Sequence, residues 1–350
     1  MKTELKQIIE PLLIWYQEHH RDLPWRRDKN PYRIWVSEIM LQQTRVEAVK
    51  EYFERFMKEI PTVEVLAKIE EQKLLKLWEG LGYYNRARNL QKAAKEIITT
   101  YQGKFPGSYE ELLKLPGIGS YTAGAIASIS FQEKVPAVDG NVLRVMTRIL
   151  GSYEDIGTEK TKNWIRDLLL PILPSKVDLF NQALMELGAT VCIPNGDPLC
   201  QECPFRNFCI AHQQALVSEI PVKEKKLKRK IEHRVVLLIT DEDRFVLEKR
   251  KEQGLLAGMY QFPNFIGEGT SEEVLAYLSD LRDHIIRIDF LKDSKHIFSH
   301  VEWHMKNVLV VLDAVPRKEE KLWVTMQELN EKYPLPSAFI NAKKQLKKRG

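Results

Sequence analysis

Cysteine is confined to one place. The chain of 350 residues has four, at Cys192, Cys200, Cys203 and Cys209. That distribution excludes a scattered disulfide framework and points to metal ligation in a reducing compartment. Long apolar runs are missing too, and none reaches membrane-spanning length. Met1 to His20 carries Glu4, Lys6, Glu10 and Glu18 among its apolar residues. It therefore reads as an amphipathic first helix without a signal-peptide core, and a cytoplasmic protein without a membrane role is expected. An excess of one charge is also lacking, with 53 Lys and Arg against 48 Asp and Glu, a net +5. This balance is compatible with a polyanionic partner and does not argue for one.

What is present divides in two. Length alone suggests about two domains. The first part is helical throughout. In Pro31 to Ile60 the residues Trp35, Ile39, Val46, Val49, Phe53 and Phe56 keep one helical stripe, with Glu47, Glu51 and Glu54 facing away. Glu38 and Gln42 fall on the apolar stripe. A carboxyl group there loses solvation and is held protonated near neutral pH, which makes Glu38 a candidate general acid; the alternative is a glutamate at the stripe's edge. Thr44 and Glu47 have capping-box spacing, so a break into two helices is expected near Gln42-Gln43. The Leu81-Gly82-Tyr83-Tyr84 stretch suits either an apolar wedge for a base stack or a packed inter-helix loop. In Leu115 to Ala123 a helix stops at Pro116, turns through Gly117 and Gly119, and a small-residue helix begins. Such a turn is an ordinary corner or a phosphate grip made of helix-start amides. Val138-Asp139-Gly140-Asn141 then opens another helix, with Asp139 simplest as its N-cap.

The cysteines have seven, two and five residues between them. Tetrahedral zinc is one possible occupant, and a four-thiolate iron–sulfur cluster fits the compact run better. Lys223, Lys225, Lys226, Lys228, Arg229 and Lys230 mark a basic linker. Beyond it, Val235 to Thr240, Phe245 to Arg250 and Val308 to Ala314 are β-type runs, while Ser271 to Arg282 and Ser337 to Lys348 are helical, an α+β pattern.

Together, Ser37 to Thr44, Leu81 to Tyr84, Leu115 to Ala123, Val138 to Asn141, Met185 to Ala189 and the cysteine run resemble the helix-hairpin-helix DNA glycosylases with an iron–sulfur cluster, specifically the MutY-type adenine glycosylases. The resemblance covers nearly the whole chain. It implies a multidomain fold: an all-α glycosylase region over 1–215, with a six-helix-type subdomain at about 25–133 and an iron–sulfur loop at 192–209. A linker at 216–232 and an α+β Nudix-like domain over 233–350 follow. It implies removal of adenine mispaired with 8-oxoguanine or guanine in double-stranded DNA by a nucleoid-associated monomer. One [4Fe-4S] cluster on Cys192, Cys200, Cys203 and Cys209 is implied, and no catalytic metal.

On the family's plan Glu38 protonates the adenine, and Asp139, helped by Tyr121 or Asn141, stabilises the sugar cation or bonds to it transiently. Trp25, Arg26 and Glu186 lie at the flipped base. Gln43, Leu81 and Tyr83 fill the gap, Thr44, Gly117 and Gly119 touch DNA, and Phe298, Ser299 and His300 sense 8-oxoguanine. Two departures bear on this plan. The first cysteine spacing is one residue longer than the family's usual one. Tyr121 stands where endonuclease III relatives carry a nucleophilic lysine, so base removal without efficient strand cleavage is expected. Three rival readings make different predictions. An endonuclease III-like enzyme acts on oxidised pyrimidines, and an iron–sulfur protein that only binds DNA is indifferent to Glu38. A Nudix hydrolase needs an R-E-x-x-E-E-type helix, which Leu256 to Leu281 lacks.

Overall fold

The computed structural model describes residues 5–224, 228–313 and 321–346. Met1 to Glu4, Lys225, Lys226, Ala314 and Lys348, which the sequence placed in a helix, the linker or a strand, lie outside them. The chain forms two compact units, residues 1–68 with 88–225, and residues 69–87 with 226–350. The expected boundary near 215 thus moves. Ile220 is buried, the Ile156 amide donates to the Val222 carbonyl at 3.1 Å, and the chain up to that point is pinned to the helical unit. The first strand begins at Lys230, inside the expected linker. Its alternating charged residues find backbone partners in a parallel neighbour, which outweighs their preference for water.

The helices, in chain order, are α1 (Ile9–His19), α2 (Pro31–Leu41), α3 (Val46–Glu59), α4 (Val63–Lys68), α5 (Glu71–Leu77), α6 (Asn85–Thr100), α7 (Tyr109–Leu112), α8 (Ser120–Phe131), α9 (Gly140–Leu150), α10 (Glu159–Leu169), α11 (Val177–Thr190) and α12 (Ile210–Gln213). Asn30 starts α2 by accepting from the amides of Tyr32 and Arg33, with Pro31 pre-set for the first turn. Eight of its eleven residues are buried, so α2 lies inside the unit rather than on its surface. It packs on α8, whose Ala123, Gly124, Ala125 and Ala127 allow a close approach. A Cβ on Gly124 would stand 2.5 Å from the Pro136 carbonyl oxygen. One apolar core joins α1, α9, α10 and α11 through Trp15, Met146, Ile165, Phe180 and Leu184. Each such side chain contributes on the order of 2 kcal/mol by leaving water.

The expected break after α2 is present, but Thr44 does not cap the next helix. Arg45 is the N-cap of α3 and makes no side-chain capping bond, while the Thr44 hydroxyl donates to Gln42 O at 3.5 Å. The intervening Gln43 takes a left-handed φ of 59° instead of leading straight into a cap. The helix expected to stop at Pro116 is a single turn, α7, followed by hydrogen-bonded turns into Pro116.

In the second unit the strands are β1 (Lys230–Thr240), β2 (Arg244–Lys249), β3 (Tyr260–Gln261), β4 (Asn264–Ile266), β5 (Ile285–Phe290), β6 (Ser294–Ile297), β7 (Val301–Leu312) and β8 (Leu322–Thr325). Their order is β3-β2-β1-β7-β5, with β4 beside β1, β6 beside β7 and β8 beside β2. Among the described residues only β1 and β7 run parallel, paired from Lys230 with Val301 to Thr240 with Val311; the other paired strands are antiparallel. Period two then sorts the faces. Val236, Leu238, Trp303 and Met305 pack with Phe339 on one side; Val235, Leu237, Ile239, Val308 and Val310 pack with Val274 and Leu278 on the other. The helix α13 (Ser271–Tyr277) is held by a capping box of Thr270 and Glu273. Glu273 Oε2 accepts from the amides of Gly269 and Thr270 at 2.7 and 3.1 Å, so this carboxylate is spent on the helix start. The helices α14 (Met326–Glu331) and α15 (Ile340–Leu346) complete the unit.

Candidate active site

A cavity of about 760 Å³ in the helical unit is lined by Trp25, Arg26, Glu38, Gln43, Thr44, Gly119, Tyr121, Asp139, Asn141, Met185 and Glu186, among others. The structure thus brings to one place residues from the turn at Pro24–Arg26, from α2, α8, α9 and α11, and from the break after α2. Gly117 does not line it. Leu81, Tyr83 and the Phe298–His300 turn belong to the second unit.

Glu38 is 1% exposed, on the inner face of α2. Burial pushes its carboxyl above the usual range, the Arg26 guanidinium and the Tyr121 hydrogen bond oppose this, and Asp139 adds to it. The Tyr121 hydroxyl donates to Glu38 Oε2 and lies 3.2 Å from Met185 Sδ. Arg26 Nη2 is 4.0 Å from Glu38 Oε1. Asp139 caps α9, with Oδ1 accepting from the Val142 amide at 2.8 Å and Oδ2 from Asn141 Nδ2 at 2.7 Å. Burial again pushes upward, opposed by those donors and by Arg144. Of the two helpers expected for Asp139, Asn141 is bonded to it; the Tyr121 phenol is bonded to Glu38 instead. The reason is position: Tyr121 is in the first turn of α8, which packs on α2.

Two arginines organise this site without having been singled out in the sequence. Arg21 grips Glu186 with Nε at 2.6 Å from Oε1 and Nη2 at 3.0 Å from Oε2. Arg144 bridges from Asn141 Oδ1, at 2.8 Å, to the carbonyls of Gly188 and Cys192, each at 2.7 Å. Gly188 is required by that packing, since a Cβ there would stand 2.5 Å from Asn141 Cβ. Trp25 Nε1 and Arg26 Nη1 are buried donors with no acceptor among the described residues, and both residues line the cavity.

At the turn before α8, Gly117 has a φ of +77°, and a Cβ there would stand 2.6 Å from Asn89 Cβ. Gly119, the N-cap of α8, is open around its Cα. The amides of Ser120, Tyr121 and Thr122 have no carbonyl one turn earlier in the helix, which leaves partial positive charge at the surface.

The four cysteines are free and half-buried, and together with Arg148 they line one small cavity. Arg148 Nη1 donates to Cys192 Sγ at 3.2 Å, and its other donors hold the carbonyls of Val217 and Ile220 at 3.1 and 2.7 Å. Burial raises the Cys203 thiol to about 12 and raises Cys200 and Cys209 as well, with the sulfurs disfavouring one another's charge. Among the described residues no group of three or more His, Cys, Asp or Glu is disposed around a single metal ion. Sulfurs set around a shared cavity, with N–H donors directed at them, fit a polynuclear cluster better than one ion.

In the second unit, Tyr83 is 50% exposed with a φ of 48°, whereas Leu81 is buried. Arg86 holds this turn by donating to the carbonyls of Leu81 and Gly82, each at 3.1 Å, between the rings of Trp78 and Tyr83. Burial brings its guanidinium down to about 10. Phe298 is anchored against Trp303, their centroids 4.8 Å apart, and Ser299 and His300 are exposed at the tip between β6 and β7.

A helical unit with a two-glycine turn, an aspartate at the next helix start and a four-cysteine loop defines a class of DNA repair protein. Residues 36–171 match the HhH-GPD superfamily of base excision DNA repair proteins, and residues 234–345 match the NUDIX domain. The chain belongs to the adenine DNA glycosylase family. It is 34% identical to the adenine DNA glycosylase of Buchnera aphidicola subsp. Acyrthosiphon pisum, over 97% of this chain and 99% of that one. To the Mus musculus adenine DNA glycosylase it is 33% identical, over 91% of this chain and 73% of the relative. Among solved structures, a thermostable thymine-DNA glycosylase matches with a TM-score of 0.55 and 28% identity, covering 61% of this chain and all of that one. An endonuclease III–DNA complex at 23% identity and a TM-score of 0.54, covering 62% of this chain and 98% of that one, shares the fold.

Proposed function

We propose that this protein hydrolyses the N-glycosidic bond of adenine mispaired with 8-oxoguanine or guanine in duplex DNA, leaving an abasic site. The observation that carries the reading is the pairing of Glu38 and Asp139 on one cavity. Both carboxyl groups are desolvated, but they are answered differently. Asp139 receives two direct hydrogen bonds and a helix start, which favour its anion. Glu38 is answered by one phenol and a guanidinium at 4.0 Å, so it is the carboxyl that keeps a proton. Two carboxyl groups in opposite protonation states, acid and anion, follow the logic of retaining glycosidases.

Adenine cannot be reached in a stacked duplex, so it is swung out at a cost of a few kcal/mol that is lowest at a mismatch. Gln43, Leu81 and Tyr83 fill the gap it leaves, and Thr44 and the amides after Gly117 and Gly119 hold backbone. Trp25, Arg26 and Glu186 receive the base; the unpartnered Trp25 and Arg26 donors suit the ring nitrogens of a purine. Glu38 gives its proton to adenine N7, so the base leaves neutral. Asp139, oriented by Asn141, faces the positive charge developing at C1′. Water attacks that carbon and completes hydrolysis. Tyr121 forms no imine, so the strand stays intact until alkali or another enzyme cuts it. Ser299, at an exposed tip held by Phe298 and flanked by His300, reads the N7–H that 8-oxoguanine has and guanine lacks.

Cys192, Cys200, Cys203 and Cys209 would hold one [4Fe-4S] cluster. Its contribution when bound is to lock the loop in one shape. The protein works as a monomer on chromosomal DNA in the cytoplasm; among the described residues no helix is long and apolar enough to cross a membrane. The test is single-turnover release of free adenine from a duplex with adenine opposite 8-oxoguanine and from one with adenine opposite guanine. Both should release adenine, and release from neither would end the proposal.

A further inference from the structure

Glu38 acts as an acid only while it holds its proton, and the Tyr121 phenol against it has a single hydrogen. If that hydrogen points at Glu38 Oε2, it stabilises the carboxylate. If Glu38 is protonated and donates to the phenol oxygen, the phenol hydrogen needs a different acceptor. Met185 Sδ lies 3.2 Å from the Tyr121 hydroxyl. A thioether sulfur carries no hydrogen and can only accept. Met185 is 5% exposed, on α11, one residue before Glu186 and in the wall of the same cavity.

We propose that Met185 is a positioning residue for the acid: its sulfur takes the Tyr121 hydrogen and so favours the arrangement in which Glu38 keeps its proton. The inference rests on the glycosylase reading and on Glu38 as its acid. The other charged groups facing this pair come from every neighbouring element. Arg26, on the Pro24–Arg26 turn, favours the Glu38 anion, and Asp139, at the start of α9, disfavours it. Glu186, beside Met185, is held by Arg21. None of these is altered when Met185 becomes leucine, which nearly conserves volume and removes the acceptor.

The experiment is single-turnover adenine release by the full chain across the pH range over which Glu38 titrates, for wild type, Met185→Leu, Tyr121→Phe and the double variant. Wild-type release declines as pH rises and Glu38 loses its proton. In Met185→Leu the decline should move to lower pH by roughly half a unit, a loss of about threefold on the alkaline limb with the acid plateau kept, as expected for one weak sulfur contact. With Tyr121→Phe already present, the second substitution should move nothing. A decline at unchanged pH in Met185→Leu overturns the assignment, whether or not the overall rate falls. So does an equal shift in the Tyr121→Phe background. A wild type that releases no adenine at any pH overturns the glycosylase reading itself, and this inference with it.

Discussion

Gly188→Ala tests how Asp139, the proposed catalytic carboxylate, is held. The new Cβ would stand 2.5 Å from Asn141 Cβ and 3.0 Å from Asn141 Cα. Carbon atoms in contact prefer about 3.5–4.0 Å, so the two helices must part by roughly 1 Å there. The strain falls on the start of α9, because α11 around Gly188 is locked by the buried Leu184, Met185 and Leu187. Asn141 is bonded to Asp139 and to Arg144, and Arg144 to the Gly188 carbonyl, so the displacement reaches the carboxylate directly. Overpacking of this kind costs about 1–3 kcal/mol, and a misplacement near 1 Å costs about 100-fold in rate. An alanine inside a helix would otherwise gain up to ~1 kcal/mol over glycine, so the sign of the stability change is itself informative. The assay is single-turnover adenine release beside thermal unfolding. We expect a lower Tm and a rate down by about two orders of magnitude, with duplex binding weakened far less. A raised Tm and a wild-type rate would refute the reasoning.

Glu38→Gln should lower adenine release by roughly 100- to 10,000-fold while duplex affinity, read by fluorescence anisotropy, holds. The same variant should gain Tm relative to wild type more on the alkaline side than the acid side. Burial raises the Glu38 pKa, so the wild type loses stability as pH rises from the ordinary carboxylate range through that raised value, and glutamine does not. Arg148→Gln strips the donors from the carbonyls of Ile220 and Val217 and from Cys192 Sγ; denaturant unfolding should show a loss of about 3 kcal/mol. Ser299→Ala should reduce the preference for adenine opposite 8-oxoguanine over guanine by about tenfold, one hydrogen bond, leaving the reaction opposite guanine unchanged. Borohydride added during turnover should trap no covalent DNA adduct, since Tyr121 supplies no amine.

The parts of this site that were legible in the sequence are those with a local pattern. A glutamate on an apolar helical stripe is a buried glutamate, and Asp-Gly-Asn after an apolar lead-in is a helix cap; both positions hold in the structure. What the sequence hid depends on distant partners. Arg21 meets Glu186 across 165 positions, and neither residue's neighbours announce the other. Arg144 and Arg148 did leave a trace, since two arginines one turn apart on an otherwise apolar helix must find buried acceptors. Thr44 to Glu47 had the spacing of a capping box and none of its geometry, because the left-handed turn at Gln43 carries the chain past it. The linker read as longer than it is because Lys230, Glu232 and Arg234, alternating along the start of β1, look like a solvated run until a parallel strand pairs with them.

The central claim is that Glu38 drives adenine removal without strand cleavage. It is tested most directly by offering the wild type two duplexes, one with adenine opposite 8-oxoguanine and one with thymine glycol, and resolving the products with and without alkali. The account predicts release from the adenine duplex only, with breaks appearing only after alkali and none with Glu38→Gln. Cleavage of the thymine glycol strand without alkali, or undiminished release by Glu38→Gln, would contradict it.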